Sequence, residues 1–164
     1  MTLTPYQRIF GAGPRGVLLS ALTFGLAAAL EHWLNLPPLH GMPPLGIAAL
    51  TTGIVLTTAV VTWSLRALPP ETRGKELVTT GAFHYVRHPL YAAFLGPFDL
   101  GLVLFLDSWI YLAWAALQYP IWHLNVAAEE RLMQDEFGAE YTEYCRTTGR
   151  FLPKLRTIAG TFGA

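Results

Sequence analysis

The sequence predicts an all-α integral membrane protein: four transmembrane helices followed by a C-terminal cytoplasmic helical segment, all in one membrane domain spanning 1–164. Three observations carry that expectation. First, only 13% of the residues are charged while 52% are hydrophobic. A soluble domain carries about 25% charged residues, and mean hydropathy here is +0.37. Second, four apolar runs, at 16–34, 45–65, 89–106 and 108–127, each approach the ~20 residues that cross a bilayer as a helix. Third, the eleven Lys and Arg residues are distributed on one side only. Arg8 and Arg15 precede the first run. Arg66, Arg73, Lys75 and Arg87 lie between the second and third. Arg131, Arg146, Arg150, Lys154 and Arg156 follow the fourth, and none falls in the 35–44 or 107–108 connections. The positive-inside rule then puts both termini and the middle loop in the cytoplasm.

The same counts bound function. Net charge is zero at pH 7, so nothing points to nucleic acid. The single cysteine, Cys145, excludes an internal disulfide framework and a multi-cysteine metal site. Nothing in the sequence calls for a metal or an obligate protein partner.

The segment up to Arg15 is short and is expected to lie on the membrane surface. The first run is long for a signal peptide, despite Ala27-Ala28-Ala29, and reads as a retained span. Glu31 and His32 near its outer end read as interfacial, and His40 in the proline-rich outer connection reads as solvated. Span two carries Thr51, Thr52, Thr57, Thr58 and Thr62, which suit close helix packing. Its Trp63 suits the inner interface, as Trp33 and Trp109 suit the outer one. Leu77 to Gly81 reads as extended chain ending in a turn, with Gly81 free to take positive φ. Gly96-Pro97 interrupts span three, because Pro97 cannot donate to the carbonyl of Ala93. Asp99 follows and is expected to satisfy backbone groups freed there. The Asp107-Ser108 link is short enough to force a tight antiparallel hairpin. Pro120 is expected to bend span four. On either side of it Gln118, Asn125 and Glu129 share one helical face, and His123 shares another with Glu130. Leu132, Met133, Phe137, Tyr141 and Tyr144 recur at three-to-four spacing, which predicts an amphipathic extension broken near Gly138.

The most informative stretch is Gly81 to Tyr91, with Arg87-His88-Pro89 at its centre. Pro89 suits the first position of a helix, where its missing N–H would be unpaired anyway. Arg87 and His88 then stand at a helix start, where cations are disfavoured and anions welcome. The hairpin returns Glu129 and Glu130 to the same cytoplasmic level. The expected arrangement is a pocket with opposite charges facing one another, able to grip a zwitterionic amino-acid end.

Taken in order across a membrane hairpin, Gly81 to Tyr91, Glu129-Glu130, Phe137-Gly138…Tyr141…Tyr144 and Arg150-Phe151-Leu152-Pro153 resemble the isoprenylcysteine carboxyl methyltransferase family. The C-terminal pattern also resembles the wider group of membrane phospholipid methyltransferases. The match covers about 75–153. The resemblance implies S-adenosylmethionine as methyl donor, held in a cytoplasm-facing pocket covered by the C-terminal segment. It implies that His88 and Tyr91 line the cofactor pocket, that Val78, Thr79 and Gly81 supply backbone contacts, and that Glu130 binds the cofactor. Arg87, Glu129 and Arg150 are the matching catalytic group, with the choice of glutamate for the cofactor's ammonium left open. Gly81-Ala82-Phe83 stands where the family has Gly-Pro-Tyr, and Ala93 where it often has Gly; both departures bear on substrate specificity. The implied acceptor is a lipophilic molecule entering from the bilayer. An ionised carboxylate acceptor needs no general base, whereas an amine acceptor must lose a proton. The alternatives are a phospholipid N-methyltransferase, a nicotinamide-dependent membrane reductase, and a structural membrane protein without activity.

Overall fold

The structure is a computed structural model that describes residues 13–69 and 75–154. Residues 1–12 of the expected surface segment, and Arg8, Arg73 and Arg156 of the charge pattern, lie outside the described residues, while Gly13 to Arg15 belong to the first helix. The fold is helical throughout: α1 Gly13–Leu34, α2 Pro43–Ala67, α3 Ala82–Tyr85, α4 Pro89–Ala93, a π-helical turn Phe94–Phe98, α5 Asp99–Leu106 and α6 Trp109–Thr147. Three stretches are long and apolar enough to cross a membrane: Gly13–Leu34, Pro43–Ala67 and Pro89–Leu106. Their outward residues are apolar, among them Leu18, Leu22 and Leu26 on α1 and Ile54, Val55 and Leu56 on α2. Such a surface suits lipid and not water, and the protein is an integral membrane protein. The fourth expected span is the first half of α6, which is less apolar than the other three.

Span three is not a uniform helix. The N–H of Asp99 reaches back to the carbonyl of Phe94, the signature of a π turn, around Pro97. The carbonyl of Ala93, which Pro97 leaves without its helical donor, accepts instead from Thr57 Oγ1 of α2 at 3.0 Å. This corrects the expectation for Asp99. Its side chain is buried, at 6% exposure, but the neighbouring helix supplies the missing donor. Thr57 can reach because α2 runs close. A Cβ added at Gly53 would collide with the carbonyl oxygen of Pro97, and one at Gly101 would lie 2.7 Å from the carbonyl oxygen of Ala49.

The hairpin turn is as tight as expected. Asp107 adopts a left-handed conformation, with φ 54°, and Ser108 caps α6 by accepting from the N–H of Ile110. The outer connection is latched onto this turn. His40 is not solvated: its Nε2 donates to the carbonyl of Leu104 at 2.7 Å, and its Nδ1 accepts from the N–H of Met42 at 2.8 Å. Asp107 accepts from the N–H groups of His40 and Gly41. Prolines in 37–44 stiffen the loop so that one turn of side chains can hold it.

The 39 residues of α6 form two helices joined across a kink. Pro120 leaves its dihedrals helical. The break comes at Gly138, with φ 51° and ψ −119°, a conformation that only glycine adopts without strain. Gln134 Nε2 and Thr142 Oγ1 both donate to the Gly138 carbonyl and bridge the break. Two apolar clusters run down the molecule. One joins Ala27, Val103, Tyr111 and Trp114. The other joins Trp122, Val126 and Phe151, with Tyr91 and Leu95 packed against it, and lies beside the charged residues.

Candidate active site

A parallel strap assembles the site. After α6 ends at Thr147, the chain turns back and residues 149–150 run beside 86–88. Val86 bridges Gly149, the N–H of Arg87 donates to the carbonyl of Gly149 at 2.8 Å, and that of His88 to the carbonyl of Arg150 at 3.1 Å. Tyr144 Oη adds a 2.5 Å bond to the carbonyl of Phe83, which ties the end of α6 to α3. The strap carries Arg150 and Phe151 onto the start of α4, and His88 caps that helix ahead of Pro89, as the sequence predicts.

One carboxylate lies at the centre. Glu130 Oε1 accepts from Arg87 Nε at 3.0 Å, Arg87 Nη2 at 2.8 Å and His88 Nε2 at 3.2 Å. Its Oε2 accepts from Arg150 Nη2. The opposite charges do not face each other across a gap: they are in direct contact, with Glu130 9% exposed. Burial alone would push the Glu130 carboxyl up, but the bonds from His88, Arg150 and Arg87 outweigh it and hold the group well below the usual carboxylate range. Burial likewise opposes the charge on Arg87, and Glu130 more than restores it. Arg87 Nη1 is also committed, to the carbonyl of Thr148 at 2.5 Å and that of Cys145 at 3.5 Å.

Arg150 is different. Its Nη1 donates to the carbonyl of His123 at 3.2 Å, yet its Nε–H is buried with no hydrogen-bond partner. Two guanidiniums, Arg87 and Arg150, share the one carboxylate of Glu130. An aromatic wall flanks it. His88 stacks on Tyr91 with centroids 5.7 Å apart, Phe151 tilts against His88 at 6.0 Å, and Tyr91 packs on Trp122 at 4.6 Å. Tyr91 Oη donates to Glu129 Oε2 at 3.4 Å, so Glu129 stands at the edge of the wall, half-buried.

The structure therefore brings together Arg87, His88, Tyr91, Glu129, Glu130 and Arg150, from three stretches far apart in the chain. It does not bring Val78, Thr79 and Gly81 into that cluster. Gly81 takes the expected positive φ of 60°, but it faces α2, where an added Cβ would lie 2.9 Å from Ala67 and 3.5 Å from Trp63 Nε1. Among the described residues no hydrogen bond or ion pair links 78, 79 or 81 to Glu130. The polar ladder on α6 also divides. Gln118 is engaged by Ser20 and Thr23 of α1, and Asn125 bonds the carbonyl of Ile121 in its own helix. Sequence reasoning missed Trp122, and it named Tyr144 and Phe151 only within the family pattern, without a role. Trp122 carried a signal, since it lies seven residues before Glu129 on the same helical face.

The architecture is a helical hairpin in an integral membrane protein, with a buried cluster of ion pairs at one end. The chain belongs to the isoprenylcysteine carboxyl methyltransferase family, whose model matches residues 44–135. The matched region runs from α2 into α6 and contains Arg87, His88, Tyr91, Glu129 and Glu130; α1 and Arg150 lie outside it. Two curated relatives are similar. The cobalt-zinc-cadmium resistance protein CzcN of Cupriavidus metallidurans is 29% identical over 147 residues, covering 87% of this chain and 62% of the relative. The nickel-cobalt-cadmium resistance protein NccN of Alcaligenes xylosoxydans xylosoxydans is 34% identical over 147 residues, covering 85% of this chain and 61% of the relative. The chain thus spans about three fifths of the length of these relatives.

Proposed function

We propose that this protein is an integral-membrane, S-adenosylmethionine-dependent methyltransferase that methylates a carboxylate on a lipophilic acceptor entering from the bilayer. The observation that carries the reading is the unpartnered, buried Nε–H of Arg150 beside the Glu130 ion pairs. A buried donor without a partner costs about 1–3 kcal/mol, and an anionic oxygen relieves that cost. The carboxylate of the methyl donor's amino-acid end has the right charge, and so does an acceptor carboxylate. Family membership supports the donor, and the apolar helices support an acceptor carried in lipid.

When bound, the donor supplies an electrophilic methyl on a sulfonium; the acceptor oxygen takes the methyl as the carbon–sulfur bond breaks, leaving S-adenosylhomocysteine and a neutral ester. The chain's own residues bind and orient. Arg150 holds the anionic group. Glu130, with both oxygens occupied by Arg87, His88 and Arg150, shapes the site rather than touching a ligand. The His88–Tyr91–Trp122 stack is packed on itself, with His88 and Trp122 buried, and supports the residues that meet the ligand. Glu129, anchored by Tyr91, offers a carboxylate to an ammonium. Because a carboxylate acceptor is already ionised, rate enhancement rests on holding the reacting atoms in line. In this reading the first half of α6 is the fourth span, and the site faces the cytoplasm under the strap.

Calorimetric titration of the detergent-solubilised protein with S-adenosylhomocysteine and with NADPH tests the reading. Binding of the first alone is expected; binding of NADPH instead would replace it with a reductase. Methyl label released as methanol by base marks an ester, and base-stable label marks the phospholipid N-methyltransferase alternative. The relatives' names suggest where to look for the acceptor: membranes of cells grown with and without cobalt or cadmium.

A further inference from the structure

Helix α1 lies outside the residues matched by the family model, and nothing in the charge cluster comes from it. Yet its inner half holds the aromatic wall. Trp122 Nε1 donates to Ser20 Oγ at 3.0 Å, and Ser20 Oγ in turn donates to Gln118 Oε1 at 2.6 Å. Gln118 Nε2 and Trp114 Nε1 both donate to Thr23 Oγ1 at 3.2 Å. Each polar group in this chain of bonds is engaged, inside a membrane-spanning pair of helices where few other partners exist. The indole of Trp122 is thereby fixed in its plane. Gly16 lies against it, where an added Cβ would fall 2.6 Å from Cη2 and 2.7 Å from Cζ3. Tyr91 also packs on it, at 4.6 Å between ring centroids. Tyr91 stacks on His88 and bonds Glu129, and Gly13, at the start of α1, faces Tyr91 Oη.

We infer that Ser20 and Gly16 are positioning residues for the methyl-donor site. They act through Trp122, which sets the orientation of Tyr91 and, through it, of His88 and Glu129. The inference rests on the methyltransferase reading above and assigns α1 a part in it. Trp122 has nowhere to go except toward Tyr91, because its indole is 7% exposed and pinned at Nε1. A change at position 16 or 20 is therefore transmitted to the wall, about one ring away from the charge cluster.

The test is S-adenosylhomocysteine titration of wild type, Gly16→Ala, Trp122→Phe and the double variant, with the Michaelis constant for S-adenosylmethionine and kcat measured on the same samples. Phenylalanine lacks the indole atoms that a Cβ at position 16 would strike. Gly16→Ala is expected to weaken binding by about tenfold or more, and to raise the Michaelis constant more than it lowers kcat. The double variant is expected to bind as Trp122→Phe alone does. That rescue is a coupling between contacting sites, and a role confined to folding would not produce it. If Gly16→Ala does not fold, Ser20→Ala carries the test, with weakened binding expected and Ser20→Thr restoring it. Wild-type affinity in Gly16→Ala, or a double variant no better than Gly16→Ala, would overturn the inference. Wild-type protein that fails to bind S-adenosylhomocysteine would overturn the methyltransferase reading, and this inference with it.

Discussion

At the scale of the residue, Glu130 decides the character of the site. A buried carboxylate held by two guanidiniums and an imidazole is costly to assemble, because every charge must leave water. Once assembled, it is costly to break. Removing the carboxylate strands Arg87 and Arg150 without a counter-charge, and loss of one partner from a buried pair costs about 3–5 kcal/mol. Glu130→Ala is therefore expected to unfold the strap, with a lower thermal midpoint in detergent and loss of S-adenosylhomocysteine binding. Glu130→Gln keeps the shape without the charge and should be milder. The pH dependence has a definite sign. The folded group titrates below its ordinary value of 4.5, so its stabilisation is fully present above that value. It is lost as pH falls below 4.5 toward the depressed folded value. Thermal midpoints measured from pH 7 down to pH 3 should fall more steeply for wild type than for Glu130→Gln; equal slopes would remove Glu130 from the role. The sequence pointed to Arg87, His88, Glu129 and Glu130, because a cation at a helix start and two adjacent glutamates at the membrane surface both needed an explanation, and the family resemblance added Arg150. It did not show that Glu130 is consumed by the protein's own cations. Contact and separation across a pocket produce the same spacing in the chain, and only the strap's return path distinguishes them.

At the scale of the element, the two prolines of the hairpin behave differently for a reason the helices supply. Pro97 opens a π turn because Thr57 of α2 meets the carbonyl it abandons. Pro120 sits in α6 without leaving the helical region. A sequence reading sees two prolines and expects two interruptions. What it lacks is the neighbouring helix, since the close approach of α2 depends on Gly53 and Gly101 meeting backbone from the other side. The break at Gly138 was legible because it needs only local chemistry: a glycine in an amphipathic pattern. The Thr57 bond leads to a cycle of variants. Thr57→Val removes the donor and should destabilise by about 0.5–1.5 kcal/mol in unfolding by denaturing detergent. Pro97→Ala restores an N–H that can serve the Ala93 carbonyl. In the Pro97→Ala background, Thr57→Val should then cost much less. Additive effects would mean that Thr57 stabilises by packing alone.

At the scale of the whole molecule, the charge cluster constrains the topology. Arg87 lies two residues before the first residue of α4, and Arg150 and Glu130 lie at the far end of the return path, yet both Arg87 and Arg150 pair with Glu130. The stretch Pro89–Leu106 rises about 27 Å at 1.5 Å per residue, enough to cross the hydrocarbon core. The chain then turns within Asp107 and Ser108, and α6 must descend the same distance before Glu130 can meet Arg87. If the first stretch crosses the membrane, so does the first half of α6, even though Gln118 and Asn125 make it less apolar. Both polar residues are buried against protein, so its hydropathy understates how well it suits lipid. Single cysteines at Leu36, Lys75 and Glu140, each in a Cys145→Ser background, test this with a membrane-impermeant maleimide. All three positions are exposed. Leu36→Cys should label in intact cells, and Lys75→Cys and Glu140→Cys only after the membrane is opened. Labelling of Lys75→Cys and Glu140→Cys from opposite sides would overturn the four-span arrangement, because the strap could not then carry Arg150 back to the start of α4.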